Sequence, residues 1–192
     1  TYPVSLTLNF EGYSQIAYEG KLAVVAEEDL KPFSQHTIEV DGSLDDLTGV
    51  PSVDLAAEGE VKMNGYGGAE DLSGQIWGTW DSENLYLTVK VHDDVFSQTS
   101  RGESIWQGDG IQFGVSPGLP GESGEWYEYG LALTPEGPEV YRWIAAPGMT
   151  IGTVDNAHLA VTRDEDAKET LYELALPWEE LEPALAEDGI IG

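Results

Sequence analysis

The 192-residue chain has no cysteine, which excludes disulfide staples, thiolate metal sites and thiol nucleophiles together. Positive charge is almost as scarce: 8 Lys plus Arg stand against 36 Asp plus Glu, a formal net charge of -28. A surface of that sign repels phosphate backbones and anionic headgroups, so nucleic acid is excluded as a partner and cations, neutral ligands and basic surfaces remain. No apolar run is long enough for membrane insertion, and no secretory signal precedes Thr1-Tyr2-Pro3-Val4, so any export signal is expected to lie outside this sequence. Phosphate loops, dinucleotide fingerprints, serine elbows and EF-hand loops are missing as well. The three histidines, His36, His92 and His158, lie too far apart in sequence for a short-spaced metal motif.

Hydrophobic residues make up 41% of the chain, with 23 Gly and 10 Pro, a turn-rich globular composition. The length suffices for one large sandwich with a core that needs no cross-link. Repulsion among so many acids is relieved by salt or divalent ions, which points to a saline or calcium-containing extracellular or cell-surface setting.

Residues 4–10 alternate with period two and read as a strand, and residues 21–25 as a second. The stretch 26–34 carries Glu27, Glu28, Asp29 and Pro32, the chemistry of a turn or short helix. The expected division is therefore 1–35, an N-terminal strand segment and linker suited to the end of a preceding β domain, and 36–192, the main domain. Within the latter, Ile38-Glu39-Val40-Asp41-Gly42 reads as a short strand entering a turn. Residues 75–80, the polar turn Asp81-Ser82-Glu83-Asn84 and the alternating segment 85–91 give the strongest hairpin. Strands are also predicted at 110–115, 126–133, 139–143, 158–163 and 170–176, and one short helix at Pro177-Trp178-Glu179-Glu180-Leu181. Short strands at this spacing, without a long amphipathic helical window, predict an all-β antiparallel β-sandwich.

Carboxylate pairs carry no information here, because 36 acids in 192 residues fall near one another by chance, and no catalytic residue is assigned. Asp81, Asp93, Asp94 and Asp109 lie in or beside turns, where they suit either solvated turn acids or oxygen ligands of a structural calcium ion. Tryptophan is more telling, with 6 in the chain beside 9 Tyr. An indole offers a flat apolar face to the C–H face of a sugar, while nearby polar groups take its hydroxyls. Trp106 lies between Arg101-Gly102-Glu103-Ser104-Ile105 and Gln107-Gly108-Asp109-Gly110, a polar loop where a core tryptophan is less expected. It is the first candidate platform, and Trp126, Tyr129 and Trp143 are candidate neighbours. Trp77, Trp80 and Trp143 sit on strands, where core packing is the commoner fate, and Trp126 and Trp178 suit either role.

The ordered set Ile38-Glu39-Val40-Asp41-Gly42-Ser43-Leu44-Asp45-Asp46-Leu47, Trp80-Asp81-Ser82-Glu83-Asn84-Leu85-Tyr86, Trp106-Gln107-Gly108-Asp109-Gly110-Ile111-Gln112-Phe113 and Tyr172-Glu173-Leu174-Ala175-Leu176-Pro177-Trp178 resembles the family 9 carbohydrate-binding modules and their DOMON-like relatives. The resemblance implies a jelly-roll-like β-sandwich, structural calcium, and a slot in which two tryptophans clamp the end of a polysaccharide or oligosaccharide. Trp106 matches the first clamp position, and Gln112 falls where sugar-binding members carry a hydrogen-bonding glutamate. Gly130 takes the place of a sugar-contacting arginine. The second clamp tryptophan belongs to a segment beyond Gly192, so a domain incomplete at its C-terminus is expected. The resemblance implies a non-catalytic, carbohydrate-binding module of a larger exported protein. The alternative is a structural or assembly domain of a surface layer or filament, stabilised by calcium and completed by strand exchange with a copy of itself or another domain.

Overall fold

A computed structural model describes residues 2–8, 16–22, 32–55, 66–118, 124–181 and 192. The chain divides into two compact units, Thr1–Lys31 and Pro32–Gly192, four residues earlier than the boundary expected from composition. In the first unit β1 (Tyr2–Leu8) pairs antiparallel with β2 (Ile16–Leu22), from Tyr2 opposite Leu22 to Leu8 opposite Ile16. The second half of the expected strand 21–25 lies outside the described residues, as do residues 182–191, where the C-terminal incompleteness was expected.

The second unit is a sandwich of two sheets. One consists of β11 (His158–Asp164), β12 (Glu169–Pro177), β6 (Asn84–Asp93), β5 (Leu72–Trp80) and the short β3 (Ser34–Gln35) in that order, with β4 (Val53–Asp54) also pairing with β5. The other runs β10 (Gly152–Thr153), β9 (Gly137–Ile144), β8 (Tyr127–Thr134) and β7 (Ile111–Val115). All pairs are antiparallel except β3 with β5.

The strongest predicted hairpin forms as β5 and β6. Asp81 closes its turn by accepting the N–H groups of Glu83 (2.8 Å) and Asn84 (2.9 Å) on one carboxylate oxygen. Alternation then fixes the faces. Leu87 and Val89 of β6 and Tyr172, Leu174 and Leu176 of β12 point inward, to meet Val115, Tyr127, Tyr129, Leu131 and Val140 of the opposite sheet. Burying one such side chain contributes about 1.5–3 kcal/mol relative to leaving it in water. The expected helix after Pro177 is a single 3-10 turn, Trp178–Glu180.

The outer face of the larger sheet is not left to water. The segment 38–50, expected to begin as a strand, is an irregular cover containing the 3-10 turn Asp45–Leu47. Ile38 and Leu47 pack on Trp77, Tyr86 and Ala175 in a second apolar cluster. The cover is pinned from below by Glu173, whose buried carboxylate accepts the N–H groups of Asp41 (3.1 Å) and Gly42 (2.5 Å). A strand at 38–42 fails because those N–H groups are spent on a side chain and not on a neighbouring strand.

Candidate functional site

The outer face of the four-stranded sheet has no such cover among the described residues. Alternation along β7 turns Ile111, Phe113 and Val115 inward and leaves Gln112 exposed on the outside. In β8, Glu128 and Gly130 share that outer face, with Gln112 directly opposite Gly130 and Gly114 opposite Glu128.

Between β8 and β9 the register slips: Tyr129 pairs with Arg142 and Glu128 with Ile144, which leaves Trp143 without a register partner. Such a bulge re-aims the extra side chain. The Trp143 indole comes to lie over Gly130, where a Cβ would stand 2.3 Å from its Cη2. Gly130 has no side chain, and the neighbouring indole occupies the space above it. The Trp143 Nε1–H donates to the carbonyl of Glu103 (2.9 Å), which ties the ring to the preceding loop.

That loop carries Trp106 on the 3-10 helix Gly102–Gln107. Ile105 drops into the interior, and its neighbour Trp106 is turned outward, 59% exposed. The loop is held from inside by Gln98, only 8% exposed, whose amide donates to the carbonyls of Ile105 (2.8 Å) and Asp109 (2.9 Å) and accepts the N–H of Ser100 (2.8 Å). Gln98 is a positioning residue that sequence reasoning missed; a glutamine in a polar loop carries no signal that it will be buried and triply bonded.

Trp106, Trp143, Gln112, Glu128, Glu103, Ser104 and Gln107 line one open cavity of about 580 Å³. That size suits a small ligand. Three of the five predicted contact residues, Trp106, Gln112 and Trp143, are therefore brought together. Trp126 is 52% exposed and covers Gly114, with ring atom Cε3 3.0 Å from where a Cβ would stand, on the same sheet face but outside the cavity lining. Tyr129 is a correction. It is 1% exposed, points inward, stacks on Phe113 at 5.3 Å between ring centres and donates its hydroxyl to the Glu180 carbonyl (3.1 Å). Sitting one residue after Glu128 on the strand, it belongs to the opposite face and cannot reach a ligand there.

The four candidate metal ligands do not form one site. Asp81 and Asp93 stand at opposite ends of β6. The Asp81 carboxylate is occupied by the two turn N–H groups and by the hydroxyls of Tyr86 and Thr37, each at 2.8 Å. Asp93 accepts the N–H of Val95 (3.0 Å), and Asp109 accepts the N–H of Ser97. Burial pushes the Asp109 carboxyl above the usual range, with Asp93 adding to the shift while the Ser97 N–H and Arg163 oppose it. Asp94 is exposed. Among the described residues no group of three or more His, Asp or Glu converges where an ion could be held, so the four aspartates do not fit a calcium site.

Two sheets closed over an apolar interior, with an indole-lined slot on one outer face, define an all-β sandwich. Its fold is that of the family 9 carbohydrate-binding modules. The structure of such a module from Caldicellulosiruptor kristjanssonii in complex with cellotriose has a TM-score of 0.51 at 12% identity, over 76% of this chain and 65% of that one. A structure of a family 9 module from the same organism in complex with glucose gives a TM-score of 0.49 at 12% identity, over 76% and 66%. This chain thus spans about two thirds of the length of these structures. No protein-family model and no curated protein matches the sequence. Among the described residues no helix is long and apolar enough to cross a membrane.

Proposed function

We propose that the chain is a non-catalytic carbohydrate-binding module of a larger exported protein, which holds a glycan by stacking a sugar face on Trp106. The observation that carries this reading is the solvent-facing Trp106 indole at the edge of a cavity that also contains Gln112 and Trp143. An indole held out in water by a buried neighbour and a buried glutamine is an arrangement that costs apolar exposure and makes sense when a partner covers the ring. Gln112 offers both a donor and an acceptor to sugar hydroxyls. Trp143, fixed over Gly130, supplies a second aromatic wall.

Isothermal titration against cello- and xylo-oligosaccharides tests it. Heat of binding that disappears in Trp106→Ala is the expected result. The absence of heat with every glycan, from a protein shown to be folded, overturns the proposal. The same oligosaccharides are expected back intact after prolonged incubation, and release of shorter products would refute the non-catalytic assignment.

A further inference from the structure

The cavity is selective in its charge. Its polar lining is Ser104, Gln107, Gln112, Glu103 and Glu128, and no Lys, Arg or His contributes to it. The number of acids in the chain makes two glutamates in a cavity unremarkable by count, but these two share the lining with the Trp106 and Trp143 indoles. Several acids elsewhere are occupied: Glu180 pairs with Arg142, Glu139 takes the Gly102 N–H, Glu173 takes two loop N–H groups and Asp81 takes four donors. Among the described residues, neither the Glu103 nor the Glu128 carboxylate has a hydrogen-bond or ion-pair partner. Both therefore keep their acceptor capacity for whatever enters.

We propose that the Trp106 slot prefers a glycan bearing protonated amines, of the glucosamine type, over a neutral one. The inference rests on the glycan-binding reading above. An ammonium group satisfies an unpaired carboxylate with a charge-assisted hydrogen bond, which is about twice as strong as the neutral bond a hydroxyl makes. The two indoles add attraction for the same cation through their ring faces. The field of a chain with net charge -28 concentrates such a ligand at the surface and repels a polymer of uronic acids.

Titration with a glucosamine tetramer, cellotetraose, an N-acetylglucosamine tetramer and a galacturonate tetramer separates the possibilities. At about pH 6 and low salt, where an amine of α-amino type (about 7.7–8.0) is charged, the glucosamine tetramer is expected to bind about tenfold tighter than cellotetraose. That preference should vanish at about pH 9, where the amine is neutral, and should fall in Glu128→Gln, read as the ratio of the glucosamine-tetramer affinity to the cellotetraose affinity of the same variant. The galacturonate tetramer should not bind. Equal affinity for the amine-bearing and neutral tetramers overturns this inference and leaves the glycan-binding reading standing, whereas no binding by any tetramer overturns that reading and this inference with it. Glucosamine binding that survives Trp106→Ala also overturns it, because the attraction then belongs to the acidic surface at large.

Discussion

Trp77, on the outer face of the six-stranded sheet, is 9% exposed beneath the segment 38–50; Trp106, beside the outer face of the four-stranded sheet, is 59% exposed. Both belong to the same residue type and both stand outside the central core, so their different fates come from what lies above them. Over Trp77 the chain lays Ile38 and Leu47 and anchors them through the buried Glu173 carboxylate. Over Trp106 no described residue does the same, and the loop beneath it, fastened by Ile105 and Gln98, holds the indole out. An apolar surface that is covered serves stability, and one left open is available for the recognition proposed above.

Truncating the covered ring should have the largest effect. Trp77→Ala removes a large side chain from a packed cluster and is expected to lower stability by about 3–5 kcal/mol, measured by urea unfolding. Trp106→Ala should leave the unfolding midpoint nearly unchanged and cost about 2 kcal/mol of glycan affinity, measured by titration. If the two substitutions have similar effects on stability, the contrast between the faces is wrong.

Gly130→Ala sharpens the comparison within the open face. The added methyl meets the Trp143 ring at 2.3 Å, so the indole must shift from its place over the strand. A loss of about 1–2 kcal/mol in stability is expected, together with weakened glycan binding; unchanged binding would remove Trp143 from the slot. The smallest effect concerns Asp81, beneath neither tryptophan. Burial raises its carboxyl, but the N–H groups of Glu83 and Asn84 and the hydroxyls of Tyr86 and Thr37 outweigh burial and lower it from 3.8 to about 2. A folded value below the unfolded one contributes stability that is present above about pH 4 and is lost as pH falls toward 2. Because this turn is largely solvated, the contribution is about 1 kcal/mol, less than the unscreened shift implies. Asp81→Asn should flatten that part of the acid-unfolding curve and leave the neutral-pH glycan affinity unchanged.

The main strands were legible because each carries its period locally. The segment 85–91 alternates without interruption and emerges within β6, and 126–133 falls on β8. The short strands β3, β4 and β10 were not seen, since two residues hold no period. Residues 38–42 looked extended and became a cover because Glu173, more than 130 positions away, takes their N–H groups. In the candidate site, Trp106 followed from its polar loop, whereas Gln112 came only from the resemblance to the family 9 modules. Tyr129 was misassigned because neighbouring positions on β8 face opposite sides of the sheet, and composition around a residue does not say which.

By itself the sequence determined the all-β class, the acidic character, the absence of thiol chemistry and the candidacy of an outlying tryptophan, because composition and short-range periodicity are properties of the chain alone. The tertiary structure decided which of the described tryptophans are covered, the register slip that lays Trp143 over Gly130, the burial of Gln98 and the pairing state of the described acids. Those depend on contacts between segments distant in sequence, where a shift of one residue in register exchanges the inside of a sheet for its outside.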